Sequence, residues 1–158
     1  GLLPEITRAL EHYHVSPRKV VFELTESASL DNLTVTRTII EQMHKLGCRF
    51  AVDDFGSGFS TFNYLKNLPA DYVKVDGAFN KNLANDPVDQ ALVKSISEIG
   101  KALGKKTIAE FVENQQILNM LKTMGINCAQ GFYLGRPAPI QDVIREIDAR
   151  NALTKVSK

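Results

Sequence analysis

Glu23, the pair Asp53 and Asp54, Lys74 with Asp76, Glu110 with Glu113, and Gln130 fall in turn at the carboxyl ends of short apolar stretches of the sequence. Carboxylates gathered at one place would repel one another and take up protons unless cations neutralised them. An all-oxygen donor set selects hard ions such as Mg²⁺ or Mn²⁺ over Zn²⁺. Lys74 adds a fixed positive group for an anionic substrate or a nucleophilic water. The alternative is a set of salt bridges around Lys74 with no metal. The densest stretch is 49–60, RFAVDDFGSGFS, in which Gly56 and Gly58 bracket Ser57 and let the chain turn sharply after the two aspartates. Neighbouring side chains on a strand point to opposite faces. Both aspartates therefore serve one centre only if the strand ends there or the centre holds more than one ion. Asp-Asp before a glycine turn is also ordinary turn chemistry.

The elements that must position these groups alternate between helix and strand. Apolar spacing predicts helices over 2–13, 33–46, 61–68 and 115–124, an amphipathic helix over 140–149, and a helix from the Asp86-Pro87 start signal to Gly104. β-Branched and aromatic runs predict strands over 19–25, 49–54, 72–76, 106–112 and 128–134. In the third of these, Val73 and Val75 form an apolar face opposite Tyr72, Lys74 and Asp76. Helices end at Gly47, Gly104 and Gly125, each followed by a strand, which amounts to a weak internal repeat. Such alternation implies a parallel sheet with helical cover, and in parallel α/β folds ligands bind at the carboxyl ends of strands. The polar groups then converge on one rim. About five such units are expected, against eight in a closed (β/α) barrel of ~250 residues.

The 158 residues, 44% hydrophobic and 23% charged, suit one globular unit. A formal net charge of +1 gives no general attraction to duplex nucleic acid or anionic membrane, and no run of membrane-spanning length or signal sequence stands out. A cytoplasmic location is expected. Cys48 and Cys128, without CxxC spacing, read as small buried hydrophobes. His12, His14 and His44 fall on helical stretches away from the rim and read as surface residues.

Five segments together resemble the EAL domain, the cyclic di-GMP phosphodiesterase module of bacteria: FELTES at 22–27, AVDDFGSGFS at 51–60, ADYVKVDGAF at 70–79, AEFVEN at 109–114 and AQGFYLGRP at 129–137. The resemblance implies a partial (β/α)8 barrel over residues 1–150, the C-terminal portion of such a domain, with 151–158 a polar tail. It implies divalent metal at Glu23, Asp53, Asp54 and Glu110, two Mg²⁺ or Mn²⁺ ions in the intact domain. Lys74 would hold the water or phosphate, and Glu113 and Gln130 would support the metal shell and the water. Asp76, Gly131 and Pro137 would lie around the substrate. The loop 55–59 is similar to the family loop that couples the site to dimer contacts. The family's Glu-Ala-Leu motif and one metal-binding Asn lie on strands before Glu23, and no residue of this sequence stands in for them. Phe111 and Asn114 occupy positions where the family more often has Gly and Thr. Phe111 alternates away from Glu110 along the strand and is expected to affect packing more than chemistry.

The resemblance implies hydrolysis of cyclic di-GMP to linear pGpG by the parent protein, as a homodimer and with a regulatory or GGDEF-type domain upstream. Its alternative is a sensor that binds cyclic di-GMP without cleaving it, although this sequence keeps every site residue it is long enough to contain. A third reading, independent of the resemblance, is an enolase-like barrel with Lys74 as general base beside Mg²⁺. A five-unit sheet leaves open edges, so the 158-residue chain alone is expected to associate and to have little activity.

Overall fold

The computed structural model describes residues 1–25, 33–56 and 62–156. Helix α1 (Leu2–His12) and a 3-10 turn (Pro17–Lys19) lead into β1 (Val21–Thr25). There follow α2 (Leu33–Leu46), β2 (Arg49–Phe55), α3 (Phe62–Asn67), β3 (Tyr72–Val75), α4 (Gly77–Lys81), α5 (Pro87–Ala102), β4 (Lys106–Ala109), α6 (Gln115–Thr123), β5 (Cys128–Ala129) and α7 (Ile140–Val156). The five strands are all parallel and lie side by side in chain order. This is the expected sheet of successive βα units.

Local chemistry explains the boundaries. The Asp86 carboxylate accepts from the main-chain N–H groups of Val88 and Asp89, and Pro87 occupies the first turn of α5. Gly47, Gly104 and Gly125 all have positive φ, the conformation that turns the chain out of a helix toward the next strand.

The two faces of the sheet differ. Phe22, Phe50, Val52, Val73 and Val75 face the helices, where Ile40, Met43, Leu65, Val93, Ile96, Ile117 and Leu121 complete the core. Phe22 stacks on Phe50 with ring centroids 5.4 Å apart. On the other face, register aligns Glu23 with Ala51 and Tyr72, and Lys74 with Ile108 and Cys128. That face carries the polar groups.

Several expectations are corrected. Cys48 is buried but Cys128 is exposed, because Cys128 sits on the uncovered face of the last strand. β5 is two residues long: after Ala129 the chain turns, with Leu134 and Gly135 bonding back to Gly131. β4 stops at Ala109, since Phe111 takes a left-handed φ of 53°. α7 runs past 149 to Val156, there being no Gly or Pro in that stretch to end it. His44 is not a free surface group. Its Nε2 lies 2.9 Å from Asp71 Oδ2, which also accepts from the Phe50 N–H at 2.8 Å, fastening α2 to the amino end of the sheet.

Leu65→Ala should lower the unfolding free energy by about 2–5 kcal/mol, whereas Val88→Ala, at a side chain 66% exposed, should change it by less than about 0.5 kcal/mol. Urea unfolding of both variants checks the placement, and equal losses would contradict it.

Candidate functional site

The amino-acid pattern that makes β3 half polar puts Lys74 on the uncovered face, yet the residue is only 4% exposed. Acids surround it. Its Nζ lies 3.0 Å from Glu23, 2.9 Å from Asp53 and 2.9 Å from Glu110, so one ammonium joins the carboxyl ends of β1, β2 and β4. Burial pushes the Lys74 pKa down, but the hydrogen bonds that its ammonium donates to Asp53, Glu110 and Glu23 outweigh it and raise the pKa well above the ordinary 10.5. With three carboxylates around it, the ammonium serves here as a hydrogen-bond donor.

Asp53, Asp54 and Glu110 each offer a carboxylate oxygen within 4.8 Å of the others. The strand alternation that should separate Asp53 from Asp54 is broken locally. Asp54 has a left-handed φ of 55°, and the pairing of β2 with β3 shifts between Val52 and Phe55. The expected strand end is not found there, since β2 runs on to Phe55; the left-handed residue at Asp54 within the strand brings the two carboxylates together instead. This hard-oxygen set fits Mg²⁺ or Mn²⁺. Glu23, half exposed, is tied to Lys74 and stands outside the three-acid group.

A cleft of about 400 Å³ opens beside the acids, lined by Lys81, Glu110, Phe111, Glu113, Gln130, Gly131 and Phe132. Glu113 and Gln130 thus share a wall with Glu110. The Gln130 main chain accepts from the Val112 N–H at 3.0 Å and donates to Ala109 O at 2.8 Å, fixing that wall. A side chain at position 131 would run into the main chain of Val112, which explains the glycine there. Asp76 does not join the acid group: its carboxylate caps α4, accepting from the Ala78 N–H at 2.8 Å. Pro137 is exposed and does not line the cleft. Residues 57–59 of the loop after Phe55, and Glu26 and Ser27 of the first motif, lie outside the described residues.

Phe111 is the main correction within the site. It lies beyond β4, is 48% exposed and lines the same cleft as Glu110, with the Lys81 Nζ 4.8 Å from its ring centroid. Asn114 caps α6 by accepting from the Ile117 N–H at 2.9 Å. A threonine can make the same cap. Lys81 and Phe132 line the cleft and Asn80 bonds Glu110, none of which the amino-acid pattern signals. Lys81 and Asn80 lie on the short helix α4, too brief to read from periodicity.

Residues 1–137 match the family model described as the EAL domain. The chain belongs to the EAL domain family. It is 43% identical over 152 residues to a cyclic di-GMP phosphodiesterase, PdeB, of Shewanella oneidensis, covering 96% of this chain and 18% of that protein. MucR of Pseudomonas aeruginosa, named a bifunctional diguanylate cyclase/cyclic di-GMP phosphodiesterase, is 36% identical and is covered over 22% of its length. The chain spans about a fifth of the length of these two relatives. The structure of the MucR phosphodiesterase in complex with c-di-GMP superposes with a TM-score of 0.85 at 37% identity, covering 90% of this chain and 58% of that one. The manganese/cy-diGMP complex of BlrP1 from Klebsiella pneumoniae gives 0.81 at 28% identity, covering 86% and 35%. EAL structures of this kind are TIM-type barrels, and the sheet described above forms part of one.

Lys74→Met leaves three carboxylates facing one another, and the metal-free protein should lose about 3 kcal/mol, as when one partner of a buried pair is removed. Mn²⁺ should restore part of that loss by neutralising the same acids. A raised lysine pKa contributes stability that is fully present below the ordinary 10.5 and is lost as pH rises through the folded value. The lysine's own share of the deficit should therefore be constant across neutral pH, while the three unpaired carboxylates of the variant should regain stability as pH falls and they take up protons. Thermal unfolding in EDTA and in Mn²⁺ checks this, and equal deficits in the two conditions would contradict it.

Proposed function

We propose that the protein carrying this chain hydrolyses one phosphodiester of cyclic di-GMP to give linear pGpG, using Mg²⁺ or Mn²⁺, with two ions in the intact domain. The observation that carries the reading is the acid group Asp53, Asp54 and Glu110 beside the triply paired Lys74, in a chain of the EAL family.

Asp53, Asp54 and Glu110 would hold the metal, with Glu23 added once its pairing to Lys74 is relaxed. Divalent ions there would supply the acidification of a water and the neutralisation of charge on the reacting phosphate. Lys74, a buried donor, would orient the phosphate or the attacking water from the floor of the site. Glu113 and Gln130 would do the same from the cleft wall. Water adds to phosphorus, the bond to the ribose oxygen breaks, and that oxygen leaves with a proton, giving a linear dinucleotide with one terminal phosphate.

A homodimer and an upstream GGDEF-type domain belong to the same reading, the second suggested by the name of MucR. No helix among the described residues is long and apolar enough to cross a membrane. A cytoplasmic location follows from reading the substrate as an intracellular nucleotide.

Asp53→Asn in the full protein should lower turnover of cyclic di-GMP at least ~100-fold while circular dichroism is unchanged, and EDTA should abolish turnover by the unmodified protein. Chromatographic detection of pGpG checks both. Undiminished hydrolysis by the variant or in EDTA would overturn the reading, and nucleotide binding without any turnover would make the protein a sensor.

A further inference from the structure

We infer that Asn80 is a positioning residue for the metal ligand Glu110, and that α4 is the bracket through which it acts; the inference rests on the proposed metal site. Asn80 is completely buried. Its Nδ2 donates to the main-chain oxygen of Glu110 at 2.7 Å, and its Oδ1 has no hydrogen-bond partner among the described residues. An unpaired buried amide oxygen destabilises a fold. An aliphatic residue of similar size would fill the space without that cost, so the packing of α4 does not by itself account for asparagine. The bond to Glu110 does.

That bond falls at the residue where the chain leaves β4 and enters the left-handed turn at Phe111. The orientation of the Glu110 carboxylate depends on how this turn is held. The rest of α4 serves the same turn. A Cβ at Gly77 would overlap the Phe111 ring, so glycine there makes room for the ring, and the Lys81 Nζ lies over the ring at 4.8 Å from its centroid. The helix also reaches the other half of the acid group. Phe79 packs against Gly56, two residues after Asp54, and the Asp76 N–H donates to Phe55 O at 3.2 Å. A five-residue helix capped by Asp76 thus sets β2 and β4 at one spacing, and with it the separation of Asp53 and Asp54 from Glu110. Outer groups that orient a ligand commonly control metal affinity without touching the ion.

The test uses Asn80→Leu, which keeps the volume and removes the donor, and Asn80→Ser, which shortens the side chain, both in the full protein. Mn²⁺ affinity is read from the electron paramagnetic resonance signal of free Mn²⁺, with thermal unfolding in EDTA alongside. The expected result is a Mn²⁺ dissociation constant raised about 10- to 100-fold in whichever variants fold, while metal-free Asn80→Leu melts close to the unmodified protein, the loss of the unpaired Oδ1 offsetting the donor taken from the Glu110 oxygen. At saturating Mn²⁺, turnover should recover toward the unmodified value. A folded variant that binds Mn²⁺ as tightly as the unmodified protein overturns the inference, and so does a weakening that merely tracks lost metal-free stability. An unmodified protein that binds no Mn²⁺ overturns the underlying metal-site reading, a failure distinct from the first two.

Discussion

The buried ammonium of Lys74 and the carboxylates of Glu23, Asp53 and Glu110 form the interaction on which the rest of the site depends. Charges taken out of water are costly unless paired and hydrogen-bonded. Here one cation meets three anions contributed by β1, β2 and β4, so the pairing also fastens the strand ends to one another. The arrangement still carries more negative than positive charge. That surplus makes the place fit to hold a divalent cation, and the lysine keeps the acids together without one.

Geometry follows from departures from regular structure. A regular strand would have pointed Asp53 and Asp54 to opposite faces, and a β4 extended through Val112 would have turned Phe111 away from the cleft. Left-handed backbone at Asp54 and at Phe111 prevents both. Such conformations are unfavourable for non-glycine residues and persist where surrounding structure enforces them. In this fold the enforcing structure includes α4, which contacts Gly56 just after Asp54 and Glu110 just before Phe111.

Much of this was legible in the amino-acid order. Helix ends at glycine, the Asp86-Pro87 start and the β-branched runs are local signals, and local signals define the βα units and their parallel order. The convergence of Glu23, Asp53, Lys74 and Glu110 follows once the strands are parallel, because each lies at or just past a carboxyl end. What could not be read depends on backbone torsion or on contacts between distant segments. Asp76 reads as a rim acid and instead caps a helix of five residues. Cys128 reads as core by composition, but its exposure is decided by which face of the last strand is covered. Asn80 carries no periodic signal, and its bond to a main-chain oxygen 30 residues away exists only in the folded chain.

If the acids paired with Lys74 are the groups that hold a divalent cation, anomalous diffraction at the manganese edge from crystals of the full protein soaked in Mn²⁺ should show a peak within coordination distance of carboxylate oxygens of Asp53, Asp54 and Glu110. An ordered site with no peak there, or with manganese bound elsewhere and the Lys74 pairs intact, would contradict that role.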